Sequence, residues 1–256
     1  MHRNAFDQLA SLEREHWWFR GRRAVYLDLL RTQLRGKPGL ALDLGTGCGG
    51  WLPDLARIAE TVVALEPDPE MAALARGRDG ATVLAADANH IPLADDCCAL
   101  VTAFDVFEHL DDDLGALREA CRVLEPDGLL ALSVPAHPWL FSNNDRIAHH
   151  KRRYTRRALA TRLREAGLHV HRLTYANALL FPLIAPALLG LKGLEHLGLF
   201  GNDPEHTNLS LSPPGPLGEL CYRAFAAERH VSRHRNLPFG HSLFAMASPV
   251  AVIGTC

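Results

Sequence analysis

A glycine-rich turn behind an acidic strand is the part of this sequence best suited to ligand binding. The run Leu40–Leu44 is apolar apart from Asp43, and alternate positions after it are Gly45, Gly47 and Gly49. Glycine accepts positive φ and lets the bare backbone approach a bound molecule. The pattern therefore predicts a buried strand that turns sharply into a helix against a ligand.

Two further acids follow later apolar runs. Glu66 ends the run that starts at Thr61, and a carboxylate there can accept both hydroxyls of a ribose. Asp87 ends another apolar stretch, where it can accept the adenine amino group beside Ala88. Pro67 is expected to line the adenine. Together these residues predict a cofactor that contains adenosine.

Two cofactor templates fit the glycines. The spacing of Gly45, Gly47 and Gly49 suits a methyl donor, whereas Gly50 and an acid 21 residues after Gly45 suit a dinucleotide. Asp43 favours the methyl donor, because a carboxylate would repel the phosphates of NAD. S-adenosylmethionine has no phosphate, and an acid helps to bind its ammonium group.

In order and spacing, several segments resemble the successive motifs of class I S-adenosylmethionine-dependent methyltransferases. These segments are residues 43–49, 66, 87–88, 104–109 and 124–129. Three more resemble a bacterial branch of small-molecule methyltransferases similar to methyltransferase type 11, namely residues 15–23, 150–155 and 237–243. The resemblance implies a seven-stranded sheet with one antiparallel strand near the end. It also implies that the N-terminal helices and the residues after 135 cover the donor and form the acceptor pocket.

Strand and helix patterns alternate between residues 38 and 134. Strands are expected at 40–44, 61–66, 81–86, 99–104 and 128–134, and helices at 49–59, 69–77 and 113–124. This alternation predicts an α/β fold with a doubly wound, Rossmann-like, mostly parallel sheet that binds its ligand at the strand C-terminal edge. We expect an N-terminal helical lid over 1–36. A methyltransferase domain is expected over 37–256, with the acceptor pocket and cap insertions in 135–235.

Aromatic residues supply further candidates for the donor and acceptor sites. Trp18 is expected near the donor, because an indole face attracts a sulfonium, and Trp17 near the acceptor. The alternative is that both tryptophans are core aromatics of a helical hairpin. Phe104, at the end of the fourth strand, is expected to flank the donor.

Histidines near the expected acceptor pocket are candidates for proton handling. His109 and His150 are the candidates for a general base, since histidine titrates near neutral pH, and His109 could instead only orient its loop. Methyl transfer can also proceed by alignment alone, so a base is optional. His137 and Tyr154 are expected to contact the acceptor. The adjacent His149 and His150 could suggest a metal site. No third ligand has a helpful spacing, so no metal is expected.

Composition limits the partners of the protein. A net charge of −2 over 256 residues gives no general reason to expect nucleic acid or an anionic membrane. The N-terminus lacks the apolar core of a signal peptide, and the cysteines form no CxxC pair, so we expect a reduced, cytoplasmic protein. The uncharged run 178–191 is shorter than the about 20 residues of a spanning helix. This run is expected to be a buried cap or a wall for an apolar substrate. The sequence leaves open whether the protein forms a homodimer.

The leading hypothesis is an enzyme that moves the sulfonium methyl group to an oxygen, nitrogen or carbon atom. The acceptor is expected to be a small, partly apolar molecule, such as a secondary metabolite or a quinone-like or lipid-like compound. Two alternatives are an NAD-dependent oxidoreductase and a member of the fold that binds S-adenosylmethionine without transferring its methyl group.

Overall fold

A computed structural model describes residues 12–13, 15–78, 80–196, 213 and 215–250, without the side chains of 195 and 196. These residues form a seven-stranded sheet in the order β3-β2-β1-β4-β5-β7-β6. The order reverses direction between β1 and β4, and ligands of such sheets bind beside that reversal. The strands are β1 Leu40–Leu44, β2 Thr61–Leu65, β3 Thr82–Leu84, β4 Cys98–Phe104, β5 Leu124–Pro135, β6 Leu168–Ala176 and β7 Ser242–Pro249.

Nine α-helices lie in the described part of the chain. They are α1 Trp17–Arg31, α2 Leu52–Ile58, α3 Pro69–Arg76, α4 Asp113–Val123, α5 Asn143–Ile147, α6 Arg156–Glu165, α7 Phe181–His196, α8 Gly215–Ala227 and α9 Arg229–Ser232. Short 3-10 helices occupy Phe107–His109 and Pro138–Leu140. The predicted strands and helices are all present, but the ends of several differ: β5 starts earlier and α2 later than predicted.

The sheet is parallel except at β7. The described pairs β1–β2, β1–β4, β2–β3 and β4–β5 are all parallel. Ala136, just after β5, donates to His241, just before β7, and Val250, just after β7, donates to Gly167, just before β6. Such end-to-start bonds require β7 to run against both neighbours, so the expected antiparallel strand near the end is confirmed.

Capping side chains fix where two of the helices that follow the strands, α3 and α4, begin. Asp68 Oδ1 accepts from the backbone N–H groups of Glu70 and Met71, and Pro69 occupies the first turn of α3. Asp112 Oδ1 accepts from the Gly115 N–H at 2.8 Å at the start of α4. These caps set the positions of the loops that follow β2 and β4.

The described residues separate into two compact units. The sheet unit takes its residues from Leu34–Val134, Arg156–Leu173 and Phe244–Cys256. The helical unit takes its residues from Met1–Gln33, Pro135–Thr155 and Thr174–Leu243. The core of the sheet unit is apolar on both sheet faces, since β1, β4 and β5 are buried over nearly their whole length.

The helical unit is built on a close contact between α1 and α8. A Cβ at Gly21 would lie 2.5 Å from Phe225 Cδ1, so only glycine lets the two helices approach this far. Val25, Tyr26 and Leu29 of α1 are also buried. Arg233, just after α9, forms a two-bond ion pair with Asp28 of α1.

The apolar run 178–191 forms most of α7, and the prediction that it is a buried cap is wrong. Only Ala178, Ala185 and Leu188 are buried, and Leu179, Leu183 and Leu189 are exposed. No helix among the described residues is long and apolar enough to cross a membrane.

Parts of the predicted N-terminal helical lid and of the predicted methyltransferase domain lie outside the described residues. They are 1–11 and 14 of the lid, and 79, 197–212, 214 and 251–256 of the domain. The described cysteines 48, 97, 98, 121 and 221 are all free thiols.

Candidate functional site

Strand register brings three acidic residues, two of them predicted, to one edge of the sheet. Asp43 pairs with Ala64 on β2 and with Thr102 on β4. Glu66 directly follows β2, and Asp105 directly follows β4. Because neighbouring parallel strands end together, these carboxylates emerge at the same C-terminal edge, beside the reversal of strand order.

Asp43 is held by a buried hydroxyl on the neighbouring strand. The Thr102 hydroxyl donates to Asp43 Oδ1 at 2.6 Å, and Thr102 is fully buried while Asp43 is nearly so. A hydrogen bond to a charged acceptor in a low-dielectric site is short and strong. The bond orients Asp43 at the end of β1.

The three glycines after β1 all adopt positive φ, as the sequence predicted: +61° at Gly45, +58° at Gly47 and +79° at Gly49. Their surroundings differ. A Cβ at Gly49 would lie 3.1 Å from the Ala75 Cα, so this glycine permits close packing of the loop on α3. A Cβ at Gly47 would meet only Met71 Cε, at 3.8 Å.

Glu66 is tied to the glycine loop. Its Oε2 accepts from the Gly47 N–H at 2.8 Å, and its Oε1 accepts from the Asp68 N–H at 3.0 Å. Burial raises the pKa of Glu66, and these two backbone hydrogen bonds oppose the rise. Each oxygen has a second lone pair, so the carboxylate can hold the loop and still accept ribose hydroxyls.

The predicted adenine contacts lie after β2 and β3. Asp87 is exposed, and its Oδ1 accepts from the backbone and side-chain nitrogens of Asn89, at 2.7 and 3.1 Å. Ala88 is buried and Pro67 is exposed. Asn89 thus fixes the direction of the Asp87 carboxylate at the place expected for the adenine amino group.

Phe104 ends β4 within an aromatic cluster of the sheet unit. Its ring centroid lies 4.4 Å from that of Trp51 and 6.4 Å from that of Phe244. These contacts bury most of the ring. Phe104 therefore packs the floor of the strand edge as well as being a candidate flank for the donor.

The residues at this edge fit a phosphate-free, cationic nucleoside. Asp43, Glu66 and Asp87 present carboxylates, and the space beside Gly47 would be narrowed by any side chain there. Residues 44–51 contain no lysine or arginine, and Arg78, which packs on this loop, donates its Nε to the Cys48 carbonyl at 3.2 Å. The donor set thus suits the ammonium, ribose and adenine groups of S-adenosylmethionine.

His109, a predicted base, lies in the sheet unit just after β4. It ends the 3-10 helix Phe107–His109 and is half-buried, and its backbone N–H donates to the Val106 carbonyl at 3.0 Å. Val106 in turn is the side chain that a Cβ at Gly45 would strike, at 2.8 Å. The turn that carries His109 therefore packs on the glycine loop.

His150, the second predicted base, belongs to a buried polar network of the helical unit. Its Nδ1 lies 2.8 Å from Asp145 Oδ1, which also accepts from Arg153 Nε at 2.8 Å. The Ser142 backbone N–H donates to Asp145 Oδ2. Burial alone would raise the pKa of Asp145, but the hydrogen bonds from His150 and Arg153 outweigh burial and hold that pKa below its ordinary range.

His137, a predicted acceptor contact, is clamped by aromatic rings at φ +64°. Its ring stacks on Tyr175 at 5.3 Å and on Phe181 at 5.1 Å between centroids, and its Nε2 bonds the Gly240 carbonyl at 3.0 Å. Burial is the main cause that lowers the pKa of His137. At neutral pH the ring is therefore uncharged, and its Nε2 carries the proton that it donates to the Gly240 carbonyl.

The remaining candidates also lie in the helical unit. Tyr154 is buried, and its backbone exchanges hydrogen bonds with Pro135 and His137. Trp17 and Trp18 open α1 and are half-buried. The Arg22 guanidinium lies 4.6 Å from the Trp18 ring centroid, so this indole already attracts one cation.

Three residues of these sites were missed at the level of sequence. Thr102 orients Asp43, Asn89 orients Asp87, and Asp145 orients His150. A polar residue inside an apolar strand was a signal for Thr102. Nothing in the spacing of Asp145 and His150 marked them as partners, because a short helix and a turn between them decide their approach.

Known proteins match this chain along most of its length. A family model described as a methyltransferase domain matches residues 42–132. The malonyl-[acyl-carrier protein] O-methyltransferase of Methylococcus capsulatus is 32% identical over 220 residues, which cover 78% of this chain and 75% of that protein.

Other matches are partial or more distant. A probable S-adenosylmethionine-dependent methyltransferase of Mycobacterium tuberculosis is 34% identical over 50% of this chain and 46% of its own length, so the chain spans about half of that relative. A chain from a solved complex that contains the Haloferax volcanii Trm112 methyltransferase activator has a TM-score of 0.61 at 22% identity, over 96% of both chains. Identity at that level shows a shared fold alone, here the Rossmann-like one.

Proposed function

We propose, from the premise that this chain belongs to the S-adenosylmethionine-dependent methyltransferases, that it transfers a methyl group to a small, partly apolar organic acceptor. The observation that carries the proposal is the edge formed by Asp43, the glycine loop and Glu66, where Glu66 binds the Gly47 N–H at 2.8 Å. S-adenosylmethionine supplies an electrophilic methyl group on a sulfonium. Holding donor and acceptor in line is the main contribution of such a site.

The residues of the sheet unit take the donor roles. Asp43, oriented by Thr102, binds the ammonium group, and Glu66 accepts the ribose hydroxyls. Asp87 and Ala88 contact adenine, Pro67 lines it, and Phe104 flanks the donor. Gly45, Gly47 and Gly49 keep the loop open.

Acceptor binding belongs to residues 135–235 in this proposal, with Trp17, His137 and Tyr154 as contacts. An oxygen atom is the first candidate, because the Methylococcus capsulatus relative is named an O-methyltransferase. A nitrogen acceptor is a further arm of the test. The aromatic rings around His137 and the apolar α7 support an acceptor with an apolar part.

His150 is the leading candidate for accepting a proton from a hydroxyl. Its Nδ1 donates to Asp145, and that tautomer places a lone pair on Nε2. Asp145 itself is anchored by Arg153. A carboxylate acceptor is already ionised and needs no base, whereas a phenolic or alcoholic hydroxyl does. His109 is the second candidate.

Calorimetry tests the donor assignment. S-adenosylhomocysteine should bind the wild-type chain, and Glu66→Gln should weaken that binding about tenfold or more, since a ribose loses a charged acceptor. Thermal unfolding of both proteins checks that the substitution leaves the fold intact. Binding of NAD(H) in place of S-adenosylhomocysteine would refute the donor assignment.

A panel with methyl-labelled donor tests the acceptor. It pairs a malonyl thioester, whose acceptor is a carboxylate, with a prenylated phenol, and it includes a small polar amine. His150→Gln should lower turnover of the phenol about 10²-fold or more and leave the carboxylate unaffected. His109→Gln is the matched comparison. Labelling of the small polar amine alone would contradict the proposed acceptor class.

A further inference from the structure

The exposed face of α7 is apolar, which is unusual for a surface helix. Leu183 is 73% exposed, Leu179, just before the helix, is 60% exposed, and Leu189 is 47% exposed. Pro182 and Pro186 are exposed between them. A surface helix of a globular domain normally turns charged or polar residues outward, so this face is suited to a partner.

Two large aromatic side chains extend this face. Trp139 is 49% exposed and Phe239 is 45% exposed. Lys192 Nζ donates to the Trp139 carbonyl at 3.0 Å, and the Phe239 ring lies 6.3 Å from the ring of Phe181. We call the three segments 137–141, 177–194 and 237–241 the apolar surface; all belong to the helical unit.

Among the described side chains, the exposed charge around the apolar surface has one sign. Lys192 is the sole lysine, arginine, aspartate or glutamate within its three segments. Arg146 and Arg235, a few residues outside the segments, are exposed. Asp145 is buried against Arg153, and Glu228 is buried beneath the Leu179 N–H, so neither carboxylate is exposed on this surface. Glu195, near the end of α7, has a side chain outside the described part.

We propose that the apolar surface docks on the surface of an anionic phospholipid bilayer. Leucine, tryptophan and phenylalanine would enter the boundary between headgroups and acyl chains, and the basic residues around them would face anionic headgroups. The 16 residues of α7 are about 24 Å long, shorter than the hydrocarbon thickness of about 30 Å, so the helix lies on the bilayer. The overall charge of −2 conceals this local asymmetry.

A second copy of the chain is a poorer occupant. A two-fold interface through this face would set Lys192, Arg146 and Arg235 of one copy near those of the other, and like charges would repel. A protein partner is also poorly matched, because protein interfaces carry about ten hydrogen bonds and the exposed leucines and prolines offer no side-chain polar atom. The docking goes beyond the methyl transfer proposed above, although His137 and α7 also belong to the region that binds the acceptor in that proposal.

Vesicle co-sedimentation with the full chain tests the docking. Wild-type protein should sediment with vesicles that mix phosphatidylglycerol and phosphatidylcholine, and much less with phosphatidylcholine alone. The double variant Leu179→Glu, Leu183→Glu should lose about tenfold or more of that partition, because each leucine loses its apolar transfer. Raising salt from about 0.1 M to about 1 M should weaken wild-type binding, since the Debye length falls from about 10 to about 3 Å.

Matched controls separate docking from folding and from catalysis. Leu74, 49% exposed on α3 of the sheet unit, gives the control Leu74→Glu, which should sediment like the wild type. Leu179→Ala, Leu183→Ala is a milder variant that should lose an intermediate part of the binding. Thermal unfolding and S-adenosylhomocysteine affinity should match the wild type in all of them, and neither readout depends on an acceptor.

Several results would overturn the proposal. These are no sedimentation of the wild type with anionic vesicles, equal binding to neutral vesicles, and equal binding by the double glutamate variant. A wild-type dimer that the double variant converts to a monomer would assign the surface to a second copy instead. Binding of an acidic protein at this face, without any vesicle binding, would assign it to a protein partner.

Discussion

Replacing Thr102 by valine tests how Asp43 is positioned for the donor. The Thr102 hydroxyl donates to Asp43 Oδ1 at 2.6 Å, and both residues are buried. Valine has nearly the shape of threonine, so Thr102→Val removes the hydroxyl without opening a large cavity. The carboxylate of Asp43 then stays at the end of β1 with one fewer charged hydrogen bond.

The size of the effect follows from that bond. Hydrogen bonds to charged groups contribute about 1.5–3 kcal/mol, so the free energy of unfolding should fall by about 2 kcal/mol. Asp43 binds the donor ammonium in our proposal, and a loss of about 1.4 kcal/mol of that interaction raises the dissociation constant about tenfold. Both changes should appear in the same variant.

Calorimetry with S-adenosylhomocysteine and urea unfolding of the unliganded protein measure the two quantities. Thr102→Ser is the matched control, because it keeps the hydroxyl and loses one buried methyl group, worth about 1 kcal/mol. Its affinity for S-adenosylhomocysteine should equal that of the wild type.

The reasoning fails if Thr102→Val binds S-adenosylhomocysteine as tightly as the wild type. It also fails if valine and serine weaken binding equally, because the hydroxyl would then have no part in donor binding. A loss of stability alone, with affinity unchanged, would restrict Thr102 to a role in the core.

Three other perturbations have defined outcomes. Gly45→Ala places a Cβ 2.8 Å from Val106 Cγ2 at a residue whose φ is +61°. It should lower the free energy of unfolding, measured by urea titration, by at least about 1–2 kcal/mol. The control Gly36→Ala should cost little, because its added Cβ would have nothing within 4 Å. Burial raises the pKa of Glu228 from 4.5 to about 7. The contribution of this group to the free energy of unfolding is therefore fully present below pH 4.5, and about 3 kcal/mol is lost as pH rises from 4.5 to about 7. Glu228→Gln should flatten the pH profile of unfolding, and an unchanged profile would refute the assignment. Asp145→Asn leaves the buried Arg153 without its counter-charge and should lower the free energy of unfolding by about 3 kcal/mol or more. The control Asp54→Asn, at the exposed pair with Arg57, should lower it by under about 0.5 kcal/mol. Equal losses on urea unfolding would contradict this account.

The sheet and its donor edge could be predicted from the sequence because their signals are local. Apolar runs of strand length, alternating glycines and a capping Asp68 each act over a few residues, and parallel strands must end at one edge. Asp43, Glu66 and Asp87 therefore came to the expected strand ends. Positive φ at all three glycines follows from the same sharp turn.

Tertiary structure alone decided the partners of those residues. Thr102 meets Asp43 across 59 positions through strand register, and Arg233 meets Asp28 across 205 through helix packing. The run 178–191 gave no sign of which side would be covered, because it is apolar throughout and has no periodic polar stripe. Burial of one face and exposure of the other depend on what the rest of the chain packs against that helix, which no local pattern encodes.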